Sequence, residues 1–471
     1  MASCLLPLGV LLLIAAASGA AAFRTGNTTA IHIGNTKACI SGYGGAEDPG
    51  MSYKLCIPSW VAFTPNGTLS GEAALNHAAV GQPRDGRLRL QARPRLQALL
   101  FSSLLSSTYS ANVDGINSKC CRIFEDVVKR EMELVPYKLV ETQDGRCAIQ
   151  IETEEGGAKD IAADQVAGIL VSKLKRMAEA HLGRKIRNVL VTVPWHSRDY
   201  QRHLLTTAAR LHGGFSATRY VDEHVAAAAA HGHHDKAREG KVILVFHMGG
   251  RTTHATMFKF QDGTAHLIGA ARHDAHLGGE DLTGRLVDHF VKLIREKHRR
   301  DLRRDDGALR ELRAACERAK KALTYWDATL VKAESLLDGA DFFEPFTRAE
   351  FEELNHDLLA RATGMVDQLV TWRWHHTPGR WDSVDEVILV GGSVSIPKIL
   401  AFFRDYFHGR EPIVEEEAAT RGAALLSRPE SAMFTYDNCD SYYCRGSPLE
   451  VINKRDCLEL SRLRLCYVSV E

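Results

Sequence analysis

Beyond its N-terminal segment the chain has no long apolar run: no later stretch reaches the roughly eighteen consecutive apolar residues that a membrane-spanning helix needs. Excess charge of one sign is also missing, since 59 Lys and Arg stand against 58 Asp and Glu. The net charge of +1 gives no electrostatic basis for binding nucleic acid or an anionic membrane surface. The cysteines lack metal-ligand spacing. Cys39, Cys56, Cys120, Cys121, Cys147 and Cys316 are scattered and read most simply as buried free thiols. Cys439, Cys444, Cys457 and Cys466 lie close together near the end of the chain. An oxidising compartment would pair those four, and their C-x4-C opening is not a zinc pattern. What is present is ordinary globular composition, 45 % hydrophobic and 25 % charged over 471 residues. That is room for about two to four domains.

Residues 1–22 stand apart. Leu5–Ala17 is an apolar core closing on Ala20-Ala21-Ala22, an A-x-A cleavage pattern, although no Lys or Arg precedes it. It is expected to be a signal peptide cleaved before Phe23, with a buried N-terminal helix as the plain alternative. The mature chain is then expected in the endoplasmic-reticulum lumen. Because Tyr467–Glu471 is not a Lys/His-Asp-Glu-Leu retrieval signal, secretion stays open. Asn27-Thr28-Thr29 and Asn66-Gly67-Thr68 are glycosylation sequons compatible with that route.

Three glycine pairs follow strand-like runs: His247-Met248-Gly249-Gly250 after Lys241–Phe246, Leu277-Gly278-Gly279-Glu280 after Ala265–Ala270, and Val390-Gly391-Gly392-Ser393 after Glu386–Val390. Without a Cβ, backbone N–H groups in such turns can approach phosphate oxygens. Three of them suggest a nucleotide held between two lobes. Strand-like and helix-like stretches alternate as in α/β proteins. Arg187–Val193 is a strand ended by Pro194, and Gln201–His212 reads as a helix. Leu309, Leu312, Cys316, Ala319 and Leu323 recur at steps of three and four, one apolar helix face. The neighbouring face carries Glu317, Lys320, Lys321 and Thr324, which alone would read as a solvated face with an ion pair.

Several stretches together resemble the ATPase region of the seventy-kilodalton heat-shock chaperones, most closely their luminal (BiP) branch. They are Pro58-Ser59-Trp60-Val61-Ala62-Phe63-Thr64, Gly71-Glu72-Ala73-Ala74, Val191-Thr192-Val193-Pro194, His276-Leu277-Gly278-Gly279-Glu280-Asp281, Phe346–Asn355, Val384–Ser393 and Ile396-Pro397-Lys398. The resemblance runs from about residue 30 to 427. It implies an actin-like α/β fold of two lobes, 23–232 and 233–427, with ATP or ADP and magnesium in the cleft. It implies nucleotide contacts at Gly34, Asn35, Thr36, Gly249, Gly250, Arg251 and Thr252 on the phosphate side. On the adenosine side it implies Glu317, Lys320, Lys321, Thr324, Gly391, Gly392, Ser393, Ser395 and Glu416. Glu223 takes the position of a catalytic-site Glu, while Pro194 and Arg202 take those of an interlobe switch.

The departures fall on chemistry. Where the family reads Asp-Leu-Gly-Thr-Thr, this chain has His32-Ile33-Gly34-Asn35-Thr36. Where it reads Asp-Leu-Gly-Gly-Gly-Thr-Phe-Asp, this chain has His247-Met248-Gly249-Gly250-Arg251-Thr252-Thr253-His254. Magnesium prefers hard oxygen ligands, so imidazoles at His32 and His247 leave magnesium in doubt. These two catalytic positions are degenerate, and weak hydrolysis is expected. A transition-metal set of His32, His247 and His254 is the lesser alternative; no metal site is expected. Arg251 either reaches the phosphates as a fork donor or blocks the approach its glycine counterpart permits.

Residues 86–121 match the family poorly, as a surface loop or a gene-model artefact would, and supply no counterpart for a γ-phosphate lysine. After Ser427 no linker, client-peptide sandwich or lid is recognised, and 428–471 reads as an unrelated Cys-containing tail. The resemblance implies J-domain co-chaperones and nucleotide exchange factors as partners of an expected monomer. Three readings stand: an ATP-binding chaperone-family protein of folding and stress response, a non-hydrolysing protein that titrates co-chaperones, and a decaying paralogue.

Overall fold

Thr28–Ile33 (β1) and Asn188–Val193 (β9) are rich in β-branched residues and almost wholly buried, the pattern of interior strands flanked on both sides. The structure, a computed structural model, shows that placement. It describes residues 28–43, 52–64, 67–80, 138–141, 147–152, 158–194, 199–234, 238, 240–261, 264–268, 272–274, 276–337, 339–376 and 384–427. The signal-peptide segment, both sequon asparagines, Cys120, Cys121, residues 86–121 and the tail from 428 lie outside the described residues.

By contacts the chain divides into two units. The first takes residues up to Gly240, Phe260–His266 and those from Glu417 on; the second takes Lys241–Lys259 and Leu267–Glu416. In the first, β1 pairs antiparallel with β2 (Lys37–Tyr43), which pairs antiparallel with β3 (Ser52–Pro58). On its other side β1 runs parallel to β9, and β9 parallel to β10 (Ala217–Asp222). A hairpin of β4 (Val61–Thr64) and β5 (Gly67–Ser70) leads to helix α1 (Glu72–Val80). A second small sheet joins β6 (Lys138–Glu141), β7 (Cys147–Glu152) and β8 (Ala158–Ala162). Helix α2 (Ala163–Leu182) sets Val166, Leu170, Val171 and Leu174 into the first core, with Ile31, Ile40, Val189 and Val191. The helix read over 201–212 is α3 (Asp199–Thr207), continuing as a π-helical turn at Ala208–His212. Helix α4 (Glu223–Ala230) follows β10 directly.

The second sheet repeats that strand order. β11 (Val242–Met248) pairs antiparallel with β12 (Thr253–Gln261) on one side and parallel with β17 (Glu386–Val390) on the other. β13 (Thr264–Leu267) and β18 (Ile413–Val414) form the edges, and β14 (Arg272–Asp274) pairs β12 off this path. Helices α5 (Gly279–His298) and α6 (Asp306–Ala322), the hairpin β15 (Ala328–Leu337)–β16 (Ala340–Thr347), and helices α7 (Arg348–Leu354), α8 (His356–His376) and α9 (Pro397–Tyr406) complete it. Its core gathers Leu244, Phe246, Phe290, Leu312, Cys316, Phe346, Leu389 and Phe403. Four of the five positions read as the apolar face of α6 and its end (Leu312, Cys316, Ala319, Leu323) are fully buried, and Leu309 packs at the margin.

The chain re-enters the first unit at Glu417, and its last described helix, α10 (Ala418–Leu426), packs on α4. Gly422 permits this approach: a Cβ there would come within 1.6 Å of the Ala226 carbonyl oxygen. One cysteine expectation changes. Cys39 and Cys56 are register partners on β2 and β3 and form a disulfide, with Cα atoms 4.1 Å apart; they are not free thiols. Cys316 is free and buried, as expected.

Candidate functional site

The two sheets carry the same turn after their central strand. In the first unit β1 ends at Ile33, and Gly34 N–H donates to the Lys37 carbonyl (3.0 Å) across the two-residue turn Asn35-Thr36. In the second, Gly249 N–H donates to the Thr252 carbonyl (2.9 Å) across Gly250-Arg251. Each turn has a histidine two residues before its glycine, with the ring against it. A Cβ on Gly34 would lie 3.2 Å from His32 Nε2, and one on Gly249 would lie 3.0 Å from His247 Cε1. In the first unit Ser59 fastens the turn: its hydroxyl donates to the Gly34 carbonyl (2.8 Å) and its N–H to that of Thr36 (3.0 Å).

His32 and Glu223 come together in the first unit. His32 Nδ1 lies 2.8 Å from the Thr192 hydroxyl on β9 and 3.6 Å from Glu223 Oε1 at the start of α4. Burial drives the imidazole pKa down to about 4, only partly opposed by Glu417. Burial, reinforced by the neighbouring Asp222 carboxylate, pushes the Glu223 carboxyl up to about 8. At neutral pH both groups are therefore largely uncharged. Neutral imidazole and neutral carboxylic acid do not make a site for magnesium, which wants anionic or strongly polar oxygen ligands. Arg202, read as part of a switch with Pro194, is buried on the same unit, 3.7 Å from Asp222.

The second unit holds the remaining sequence-read residues. His247 and His254 are register partners with ring centroids 4.3 Å apart, and His254 in turn pairs with His273 on β14. The turn Gly249–Arg251 docks on the start of α5. Leu277 N–H donates to the Arg251 carbonyl (3.1 Å), Gly279 N–H to Gly249 (3.0 Å) and Glu280 N–H to Gly250 (2.7 Å). Gly278 N–H donates to Asp281 Oδ2 (2.8 Å). The glycine pair at 278–279 thus directs its amides to protein acceptors, because its backbone is the platform on which the 249–251 turn rests. Arg251 is buried beside Asp281; burial raises that carboxyl, against the pull of the guanidinium.

On α6, Lys320 Nζ lies 2.7 Å from Glu317 Oε2 and donates to the Gly279 carbonyl (2.8 Å) and the Thr283 hydroxyl (2.9 Å). Thr283 donates to Glu317 (2.7 Å). Burial works to raise the Glu317 carboxyl, but Lys320, Thr283 and Lys321 together hold it below its usual range. Lys321, at 3.4 Å from Glu317, is the exposed i,i+4 partner. Thr324 sits just past the helix, its N–H on the Lys321 carbonyl. Gly391 adopts φ +98°, with its N–H on the Glu416 carbonyl (3.0 Å), and any Cβ there would meet the Met248 carbonyl oxygen at 2.5 Å. Gly392 faces open space. The Ser393 hydroxyl donates to the Gly249 carbonyl (3.0 Å), and Ser395 to Glu416 at 3.5 Å. The sequence assigns no role to Thr283, nor to Thr192 beyond its place in the Val191–Pro194 stretch. Each is one hydroxyl inside an ordinary strand or helix, and only the fold places it beside His32 or Glu317.

Residues 110–432 match the family model described as Hsp70 protein. The chain is 35 % identical over 407 residues to the heat shock 70 kDa protein BIP3 of Oryza sativa subsp. japonica, a match covering 84 % of this chain and 55 % of that protein. It is 34 % identical over 406 residues to a heat shock 70 kDa protein of Neurospora crassa, covering 84 % and 57 %. The chain spans little more than half the length of these relatives. Its mixed helix-and-sheet architecture is consistent with the actin-like ATPase fold expected from the sequence. With the family model matched over well more than half its length, the chain belongs to the Hsp70 family.

Proposed function

We propose that this chain binds ATP or ADP with little need of magnesium and hydrolyses ATP weakly, as an endoplasmic-reticulum member of its family serving protein folding and the stress response. The observation that carries this reading is the His32–Glu223 pair, 3.6 Å apart and uncharged near neutrality. Neither member of the pair supplies an ionised carboxylate to hold hydrated magnesium or orient the attacking water. The same neutrality removes negative charge that would repel a triphosphate, so binding needs less help from a bridging cation. Gly392 faces open space, which keeps its backbone accessible to a ligand. Glu317 and Lys320 hold their polar ends in place, which suits recognition of a ribose or base.

Calorimetric titration of the mature chain with ATP and ADP, with and without magnesium, tests this directly. Affinities within about tenfold of one another are expected; a hundredfold tightening by magnesium would overturn it. The burial of Arg251 beside Asp281, in place of a projecting phosphate donor, favours a second reading in which the chain does not hydrolyse ATP at all. It would then act by engaging J-domain co-chaperones or exchange factors. Phosphate release at background level, together with capture of J-domain proteins by the purified chain, selects that reading.

A further inference from the structure

We propose that Cys39, Cys56 and Glu417 form a binding site for a thiophilic divalent cation such as Zn²⁺ when the Cys39–Cys56 disulfide is reduced. The two sulfurs and a Glu417 carboxylate oxygen all lie within 4.8 Å of one another. Three elements bring them there. Residues 37, 39 and 41 share one face of β2, and their register partners on β3 include Lys54 and Cys56. The start of α10 lies over that face, where the Ser41 hydroxyl donates to the Thr420 carbonyl (2.9 Å) and Glu417 precedes the helix. Cys39 is buried, while Cys56 and Glu417 are half-buried, so a reductant or an ion has a route to the site.

The ligand set suits the chemistry. Two thiolates and one carboxylate are a soft-to-borderline set that Zn²⁺ or Cd²⁺ accepts in tetrahedral geometry, with one position left for water. Lys37 lies 2.7 Å from Glu417 Oε1, and Lys54 contacts Oε2. Lys37 stands two residues from Cys39 along β2 and Lys54 two residues from Cys56 along β3, so both ammonium groups belong to the same face. With both thiols ionised, two ammonium charges face three negative ones, leaving the cluster net anionic. A dithiol reductant takes the disulfide to two thiols and is itself oxidised to its disulfide. The metal ion then replaces the two thiol protons, so Zn²⁺, two thiols and one carboxylate give the complex and two protons. One Glu417 oxygen exchanges a lysine for the ion.

The test uses Cd²⁺ alone as probe, on the full mature chain carrying Cys120→Ser, Cys121→Ser, Cys147→Ser, Cys439→Ser, Cys444→Ser, Cys457→Ser and Cys466→Ser to silence the other thiols apart from the buried Cys316. The reduced protein is expected to bind one Cd²⁺ with a thiolate-to-metal charge-transfer band and release of about two protons. The oxidised protein should give neither. Cys56→Ser should abolish the band, and Glu417→Gln, which keeps the side chain's size and shape, should weaken binding about tenfold or more while circular dichroism is unchanged. A reduced protein without the band, a band that survives Cys56→Ser, or an affinity untouched by Glu417→Gln overturns the site.

Discussion

Burial of His32 and Glu223 sets opposite slopes on the pH dependence of stability. The folded His32 binds its proton less readily than the unfolded one, so stability is fully present above about pH 6.5 and is lost as pH falls toward 4, by up to about 3 kcal/mol. The folded Glu223 binds its proton more readily, so its contribution is present below about 4.5 and is lost as pH rises toward 8, by up to about 5 kcal/mol. Between roughly 4.5 and 6.5 the slopes oppose each other, and above 6.5 the loss from Glu223 stands alone. Urea unfolding from pH 6.5 to 8 should show falling stability in the unmodified chain and a nearly flat profile in Glu223→Gln. A decline of equal size in both would refute the pairing. Lys320 invites a second measurement. Lys320→Met leaves a half-buried Glu317 carboxylate with the Thr283 hydroxyl and, as its one cation, the exposed Lys321, which should cost about 2 kcal/mol, and Glu317→Gln in the same chain should recover part of that loss. Strictly additive losses in the double-mutant cycle would show that the two side chains do not act together. Sequence alone placed these residues on one helix face; it could not show that Thr283 and Gly279 on another helix would bury Lys320 among them.

The packing of α10 on α4 rests on the missing side chain at Gly422. Gly422→Val should destabilise the first unit by about 3 kcal/mol or more, because the added carbons meet backbone that cannot move away. Thermal unfolding read by circular dichroism checks this, and an unchanged melting temperature would mean that α10 is not tightly seated. Helix α6 was legible because its apolar residues recur at helical spacing and its burial follows that spacing. The π-helical turn at Ala208–His212 was not, since it grows out of a continuous helical pattern with no break in composition. The Cys39–Cys56 pairing was equally hidden. Its two residues meet only through the register of β2 on β3, across 17 positions of sequence, and no spacing rule specifies that register.

In both halves of the fold a central strand ends in His-x-Gly at a two-residue turn, within sheets of the same strand order. On the proposed function, restoring His32→Asp and His247→Asp together is expected to raise ATP turnover more than the sum of the single changes, as residues that act as a unit do. Steady-state phosphate release in magnesium measures it; no gain in the double variant would place the block elsewhere, with Arg251 the first position to revert. The repeated sheets themselves were not readable from composition, since the two sets of strands share almost no residues beyond the turn. Family motifs spaced along the chain carried the fold class instead. The return of the chain at Glu417 also has a bearing on how the protein is made. The first unit lacks its last described helix until residues beyond 417 have left the ribosome, and the whole of 241–416 is synthesised in between. At typical elongation speeds that interval is roughly ten to thirty seconds. Throughout it the alanine-rich surface of α4 waits without its partner, a natural window for a nascent-chain binder to act.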